Sequence, residues 1–459
     1  MPSSFASYFS RQYGAPGPGF EVAGGTLRFH GIDVYALARQ YGTPLRMLYL
    51  PAITDRIRRA ESYFAAAFDR HAYRAHYRYA YCIKANPLIP VVERALAAGA
   101  HLETSSVFDV ELILHLAAQG HIRRDRYIIH NGYKTPAYLA RIMDLQRAGF
   151  TSSVIVLDNE EELTAVKSMM EKDCERPARL GLRMATHDAT GRASRLGVPD
   201  TRIESLYEQI RTDSRLQLDM LHLFVDDGMQ AIDHYLAELD RLLDVYGRLQ
   251  PSAGPLQLNL GGGFPIRHRP DDAPDYAALT GRIVGRIAAY CQEAGLPVPD
   301  LMTEFGSYTV GEAGAVLLKV LGQKQMNATT WYMVDDSLIN TLPDAWATKT
   351  EFILLPLNGW SRAHARVRIG GISCDQLDVY PPEGDVLLSA YQPDAPLYVG
   401  FFHTGAYQEA LGGMGGITHC LVPAPAYVMV DEVDGTPVPR LFRPSQTAND
   451  TIVQLKMKN

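Results

Sequence analysis

The sequence predicts an α/β protein: a (β/α)8 barrel followed by a mainly β C-terminal domain. Eight short apolar runs recur between residues 79 and 304, and each is followed by a segment of helix length with apolar residues at helical spacing. Past about residue 310 such runs continue without long helices between them. The residues that close the eight runs are almost all charged, amide or glycine, and the C-terminal ends of the strands are where such barrels build their sites.

Residues 1–45 hold a Gly/Pro-rich lead and a few short elements, and read as a lead-in segment expected to pack with the β domain. Residues 46–310 form the predicted barrel. Its strands are 79–84, 101–105, 127–131, 154–158, 180–184, 220–225, 256–260 and 301–304, with helical patterns such as VVERALAAG, VFDVELILHLAAQG and AYLARIMDLQRAG between them. Eight such repeats in roughly 230 residues have the size of a closed barrel. A doubly wound open sheet is the alternative architecture. Residues 311–459 carry the runs 315–321, 330–334, 352–355, 386–388 and 397–402 and read as the β domain; 440–459 reads as a polar tail.

With 459 residues, 47% hydrophobic and 21% charged, the chain has material for two ordinary globular domains. Its net charge of −7, without a long basic run, excludes an electrostatic case for nucleic acid or an anionic membrane surface. A small-molecule chemistry is the expectation that remains. The five cysteines are scattered and lack CxxC spacing, which argues against a disulfide framework or a structural zinc and for a reducing compartment. The first residues lack the apolar core of a signal peptide and no long uninterrupted apolar stretch occurs, so the expected address is the cytoplasm, with no membrane partner.

The stretch RYAYCIKANP places Lys84 at the end of a buried strand, before Pro87. An ammonium there is costly unless it is paired, neutralised or covalently used, or unless it snorkels to solvent. The other strand ends offer Glu103, Asn131, Asp158, Arg183, Asp226 with Asp227, the triplet Gly261, Gly262 and Gly263, and Glu304. Three glycines after the seventh strand let backbone N–H groups approach an anion, although a plain flexible turn has the same composition. A lysine, a glycine cradle and a carboxylate in one barrel mouth are together what pyridoxal 5′-phosphate requires.

The sequence resembles the pyridoxal-phosphate decarboxylases that act on ornithine, diaminopimelate and arginine, which join an alanine-racemase-like barrel to a β domain. The biosynthetic arginine branch is suggested by NGYK (131–134), ATHDATGRASRLG (185–197), TLPDAWATKTEFILLPL (341–357), SCD (373–375) and GFFHTGAYQEALG (400–412). The resemblance implies that Lys84 is the Schiff-base lysine, Gly261 to Gly263 the phosphate loop, Glu304 the partner of the pyridine nitrogen and Tyr407 a phosphate ligand. It implies that Cys374 and Asp375 reach the site of a partner subunit in a homodimer, the cysteine to return a proton and the aspartate to receive the substrate's distal cation. Asp335 in WYMVDDS matches a substrate-binding aspartate, with Asp336 the alternative in a shifted register.

The chain departs from the family pattern at three places. Phe224 stands in HLFVDDG where the family stacks a histidine on the cofactor, and Asp226 or Asp227 replaces a hydroxyl. Ser307 in EFGS replaces an arginine that grips phosphate. The chain is also too short for the helical insert of the long arginine enzymes. The function implied is decarboxylation of a basic amino acid, arginine first, then ornithine, lysine or a derivative. A racemase on the same barrel and a catalytically silent relative that acts by binding are the alternatives.

Overall fold

Tyr77–Cys82, His101–Thr104, Ile128–His130, Ser153–Leu157, Ala178–Arg183, Leu216–His222, Gln257–Asn259 and Leu301–Phe305 are the strands of a closed parallel barrel. Each run predicted as a barrel strand overlaps one of them, and the eighth pairs with the first to close the cylinder, with Leu301 opposite Tyr77. The computed structural model describes residues 4–14, 17–170, 176–226, 228–254, 256–413 and 416–456. The chain divides into two compact units.

The barrel unit comprises Ile53–Pro265 and Pro274–Thr309. Parallel strands are covered on both faces, so they read as apolar runs rather than as alternation. Ala80, Ile129, Val154, Val156, Met220 and Met302 pack together as a buried cluster that fills the barrel. Polar residues are therefore left to the strand ends. The loops that follow are held by caps: Ser106, Thr135 and Asn159 accept the N–H groups of Asp109, Tyr138 and Glu162 and start the helices Val107–Ala118, Pro136–Arg147 and Glu160–Met169. Each cap contributes about 1 kcal/mol and sets the chain direction where a strand hands over to a helix.

The second unit comprises Met1–Ala52, Ile266–Ala273 and Val310–Asn459. Its sheet has ten strands around the long strand Gly314–Met326, which pairs antiparallel with Leu45–Tyr49, Thr329–Val334 and Leu397–Phe402. Leu45–Tyr49 is buried along its whole length and belongs to this sheet, so the division expected at residue 45 falls after Ala52. The segment Ile266–Ala273, expected in the barrel, also belongs here: Arg267 pairs with Glu312 at 2.7 Å and donates to the carbonyl of Pro18. Residues 440–459, expected to be a polar tail, continue a strand, Thr436–Arg443, and form a helix, Ala448–Leu455, with a Thr447–Asp450 capping box. No helix among the described residues is long and apolar enough to cross a membrane.

Candidate active site

The first barrel strand ends at Cys82, and one helical turn, Ile83–Ala85, carries Lys84. Ile83 and Ala85 are buried, whereas the Lys84 side chain is 43% exposed. Its Nζ lies 2.7 Å from Glu103 Oε2 and 3.2 Å from Ser105 Oγ. Glu103 is fully buried in the second strand and accepts from Ser105 at 2.6 Å and from Asn131 Nδ2 at 3.2 Å. The same Asn131 amide donates to Glu304 Oε2 at 2.8 Å. Asn131 therefore bridges the two buried carboxylates, and a continuous chain of hydrogen bonds joins Lys84 to Glu304.

Glu304 lies in the eighth strand and is buried. Asn259 donates to its Oε1 at 2.7 Å, and His222 Nε2 stands 3.2 Å from its Oε2. Burial alone would raise this carboxyl. His222, Lys84 and the Asn259 hydrogen bond outweigh burial and hold it well below the usual carboxylate range. A carboxylate that stays ionised out of water can hold a proton on a base beside it.

The glycine triplet is required by close backbone approaches. Gly261 has φ +67°, and a Cβ there would stand 2.3 Å from the carbonyl oxygen of Leu223; on Gly262 it would stand 2.7 Å from that of Glu304. Gly263, at φ +89°, packs on Gly228. Asn259 Oδ1 accepts the Gly261 N–H at 3.0 Å and closes the turn. The triplet is thus seated against the segment around Phe224 and the backbone of Glu304. Phe224 lies under the guanidinium of Arg183, 5.4 Å from the ring centroid. Arg183 is buried, and burial lowers its guanidinium pKa against the opposing pull of the Asp158 and Glu304 carboxylates. Ser307 opens a short helix after Gly306 and is half-buried. Asp226 is exposed, and Asp227 lies outside the described residues.

In the sheet unit the loop 371–378 carries Cys374 and Asp375. Buried Asp378 pins it, accepting the N–H groups of Leu338 and Ser373 at 2.6 and 2.9 Å. Cys374 is exposed, and its Sγ lies 3.4 Å from that of Cys420, a contact that raises its thiol pKa. Asp375 accepts the Leu377 N–H at 2.8 Å and faces His419 Nε2 at 3.5 Å. Tyr407 has φ +65°, a conformation that costs a bulky residue about 1–3 kcal/mol and that neighbouring contacts must enforce. Gln408 beside it donates to Asp344 at 2.6 Å, and its carbonyl accepts from Arg46.

Asp335, expected at the substrate, has both oxygens engaged in its own unit, by Thr43 at 2.6 Å and by the Lys319 N–H at 2.9 Å. Asp336 is fully buried and accepts from Thr341 and from the Ser337 N–H. Both aspartates pin turns. Within the barrel unit, Lys84, Glu304, Gly261 to Gly263 and Phe224 are brought together; within the sheet unit, Cys374 and Asp375 share one loop, while Tyr407 stands in the bend after Leu397–Phe402. Ser105, His222 and Asn259 were missed by the sequence reading. His222 and Asn259 are the last residues of their strands, and the predicted strands ran one to three residues too far and hid them.

The barrel residues fit pyridoxal phosphate: a partly exposed lysine on an otherwise buried turn, an ionised buried carboxylate, and a glycine loop that excludes side chains at the same strand ends. Residues 54–311, more than half of the chain, match the family model described as the pyridoxal-binding domain of pyridoxal-dependent decarboxylases. The diaminopimelate decarboxylase of Bacillus subtilis is 26% identical over 431 residues, spanning 89% of this chain and 91% of its own. The biosynthetic arginine decarboxylase of Thermosynechococcus vestitus is 22% identical, over 85% of this chain and 79% of its own. Among solved structures, the biosynthetic arginine decarboxylase of Campylobacter jejuni superposes with a TM-score of 0.83 at 17% identity, over 98% of this chain and 90% of that one. The chain belongs to the pyridoxal-dependent decarboxylases, the family that includes the arginine and diaminopimelate enzymes.

Proposed function

We propose that this enzyme decarboxylates an amino acid with a cationic side chain, arginine first, and that two copies of the chain share each site. The observation that carries the reading is the hydrogen-bonded path from Lys84 through Glu103 and Asn131 to an ionised Glu304. When bound, pyridoxal phosphate supplies the electron sink that makes loss of the α-carboxylate feasible. Lys84 is the residue to hold it covalently, and Gly261 to Gly263 and Tyr407 are the groups to hold its phosphate. Glu304 keeps a proton on the ring nitrogen, which favours decarboxylation over racemisation. Phe224, backed by Arg183, presents an apolar face for stacking.

The thiol of Cys374 from a second copy is the proposed proton donor to the α-carbon. Its exposure on the loop that also carries Asp375 supports that role. Asp375 is the proposed receptor for the distal cation. One charge-assisted hydrogen bond of this kind is worth roughly 1.5–3 kcal/mol, so Asp375→Asn is expected to lower kcat/KM by about 10-fold to 100-fold. Asp335 is left out, since Thr43 and the Lys319 N–H hold it.

A second reading, diaminopimelate as substrate, is favoured by chain length. The alignment with the arginine enzyme runs over 512 positions, more than this whole chain has, so that enzyme carries long inserts absent here. The test is carbon dioxide release from L-arginine, L-ornithine, L-lysine and meso-diaminopimelate by the purified protein, with its visible absorbance followed in parallel. Lys84→Ala is expected to lose both the absorbance of the lysine-bound cofactor and turnover. Preference for neutral amino acids, or a borohydride-reducible adduct on another lysine, would overturn the assignment.

A further inference from the structure

The cysteine spacing in the chain carries no metal signature, yet the fold brings Cys374, His419 and Cys420 together. We propose that these three side chains form a site for a thiophilic divalent cation, with zinc the ion it fits best. One ligand atom from each lies within 4.8 Å of the other two, and the two sulfurs are 3.4 Å apart. A tetrahedral zinc with Zn–S of about 2.3 Å and Zn–N of about 2.0 Å holds its ligand atoms roughly 3.5–3.8 Å from one another, so small side-chain adjustments close the site.

The surroundings are built for it. His419 Nε2 lies 3.5 Å from Asp375 Oδ2 and has no hydrogen-bond partner among the described residues, so an unengaged imidazole nitrogen stands beside a carboxylate. Asn340 clamps the His419 backbone from both sides, its Oδ1 accepting the N–H and its Nδ2 donating to the carbonyl, each at 3.1 Å. Cys420 is held at φ +56°, a left-handed conformation that non-glycine residues rarely take, and this turns its sulfur onto Cys374. Cys374 and Cys420 are exposed and His419 is half-buried beside them, so the ion can reach the sulfurs and water can fill the fourth position. Binding forms two metal–thiolate bonds and one metal–imidazole bond, and the two thiols release two protons to solvent. Nothing is oxidised or reduced. Under the proposed function a bound cation would withhold the Cys374 proton and inhibit turnover, but binding itself does not depend on that reading.

The test is titration of the fully reduced holoenzyme with Co2+ and then Zn2+. One Co2+ per chain is expected, with thiolate-to-cobalt charge transfer and the intense visible bands of tetrahedral cobalt; Zn2+ should bleach these, and Zn2+ added to metal-free enzyme should release two protons. His419→Ala and Cys420→Ser are each expected to weaken zinc binding by more than about 100-fold and Asp375→Asn by about 10-fold, with unchanged circular dichroism. Absence of a thiolate band in the wild type would overturn the site. So would a band that survives in Cys420→Ser or, should that variant not fold, in Cys374→Ser. Because the readout is spectroscopic, it stands whether or not the enzyme decarboxylates any amino acid in the panel.

Discussion

Asp336 shows how a single buried acid can look like a ligand and act as a fold element. It is fully buried beside Thr341 and the Ser337 N–H, and burial pushes its carboxyl up to about 7. Its unfolded value is 3.8, so between about pH 4 and 7 the native state holds a proton that the unfolded chain has lost. Stability contributed by the neutral acid is therefore present at low pH and declines as pH rises through that window. The thermal midpoint of the wild type relative to Asp336→Asn is expected to fall from pH 5 to pH 8, and a flat difference would show that Asp336 ionises freely in the fold. The aspartate pair is also where the sequence reading and the structure part most clearly. Sequence alone finds an acid next to a strand end, but the two groups that engage Asp335 come from Thr43 and Lys319, which only the sheet brings near. Lys84 and Glu304 were legible because each charge interrupts an apolar run that has to be buried.

At the scale of elements, the glycine triplet is where the loop after one strand meets its neighbours. A methyl on Gly262 would stand 2.7 Å from the Glu304 carbonyl oxygen, too close for any real contact, so Gly262→Ala must shift the Glu304 backbone or the loop itself. Overpacking of this kind costs about 1–3 kcal/mol, and if the loop borders the cofactor, affinity for pyridoxal phosphate is expected to drop by about 10-fold to 100-fold. Equilibrium titration of the cofactor checks this, and wild-type affinity in a folded variant would separate the triplet from the cofactor. The barrel strands were legible because parallel strands covered on both faces leave uninterrupted apolar runs. Thr436–Arg443 was not, because Pro437 and Pro439 argue against a strand. The strand lies at the end of the sheet order, where a residue without an N–H leaves no interior ladder broken.

At the scale of the whole molecule, large apolar side chains are exposed beside the proposed catalytic groups in both units. Phe108 is 78% exposed on the helix after Ser105, and Tyr133 follows Asn131; Ile372 and Leu377 flank Cys374 and Asp375, and Leu421 follows Cys420. Exposed apolar groups around polar site residues are what an interface needs, and in a two-fold dimer a contact between one patch and the other patch of the second copy would occur twice. That geometry would let Lys84 of one copy work with Cys374 of the other, and it can be tested without a structure of the dimer. Lys84→Ala and Cys374→Ala are each expected to be inactive alone. When they are mixed under conditions that exchange subunits, half of the dimers become mixed, and each mixed dimer has one site with both groups intact. Activity should rise to about a quarter of the wild-type level, one site in four. Exchange is followed independently by mass, using an affinity tag on one variant. Recovered activity would require that the lysine and the cysteine of a working site come from different chains. Complete exchange without recovery would return Cys374 to the site of its own chain or remove it from catalysis, while leaving the Lys84–Glu304 path and the decarboxylase reading in place.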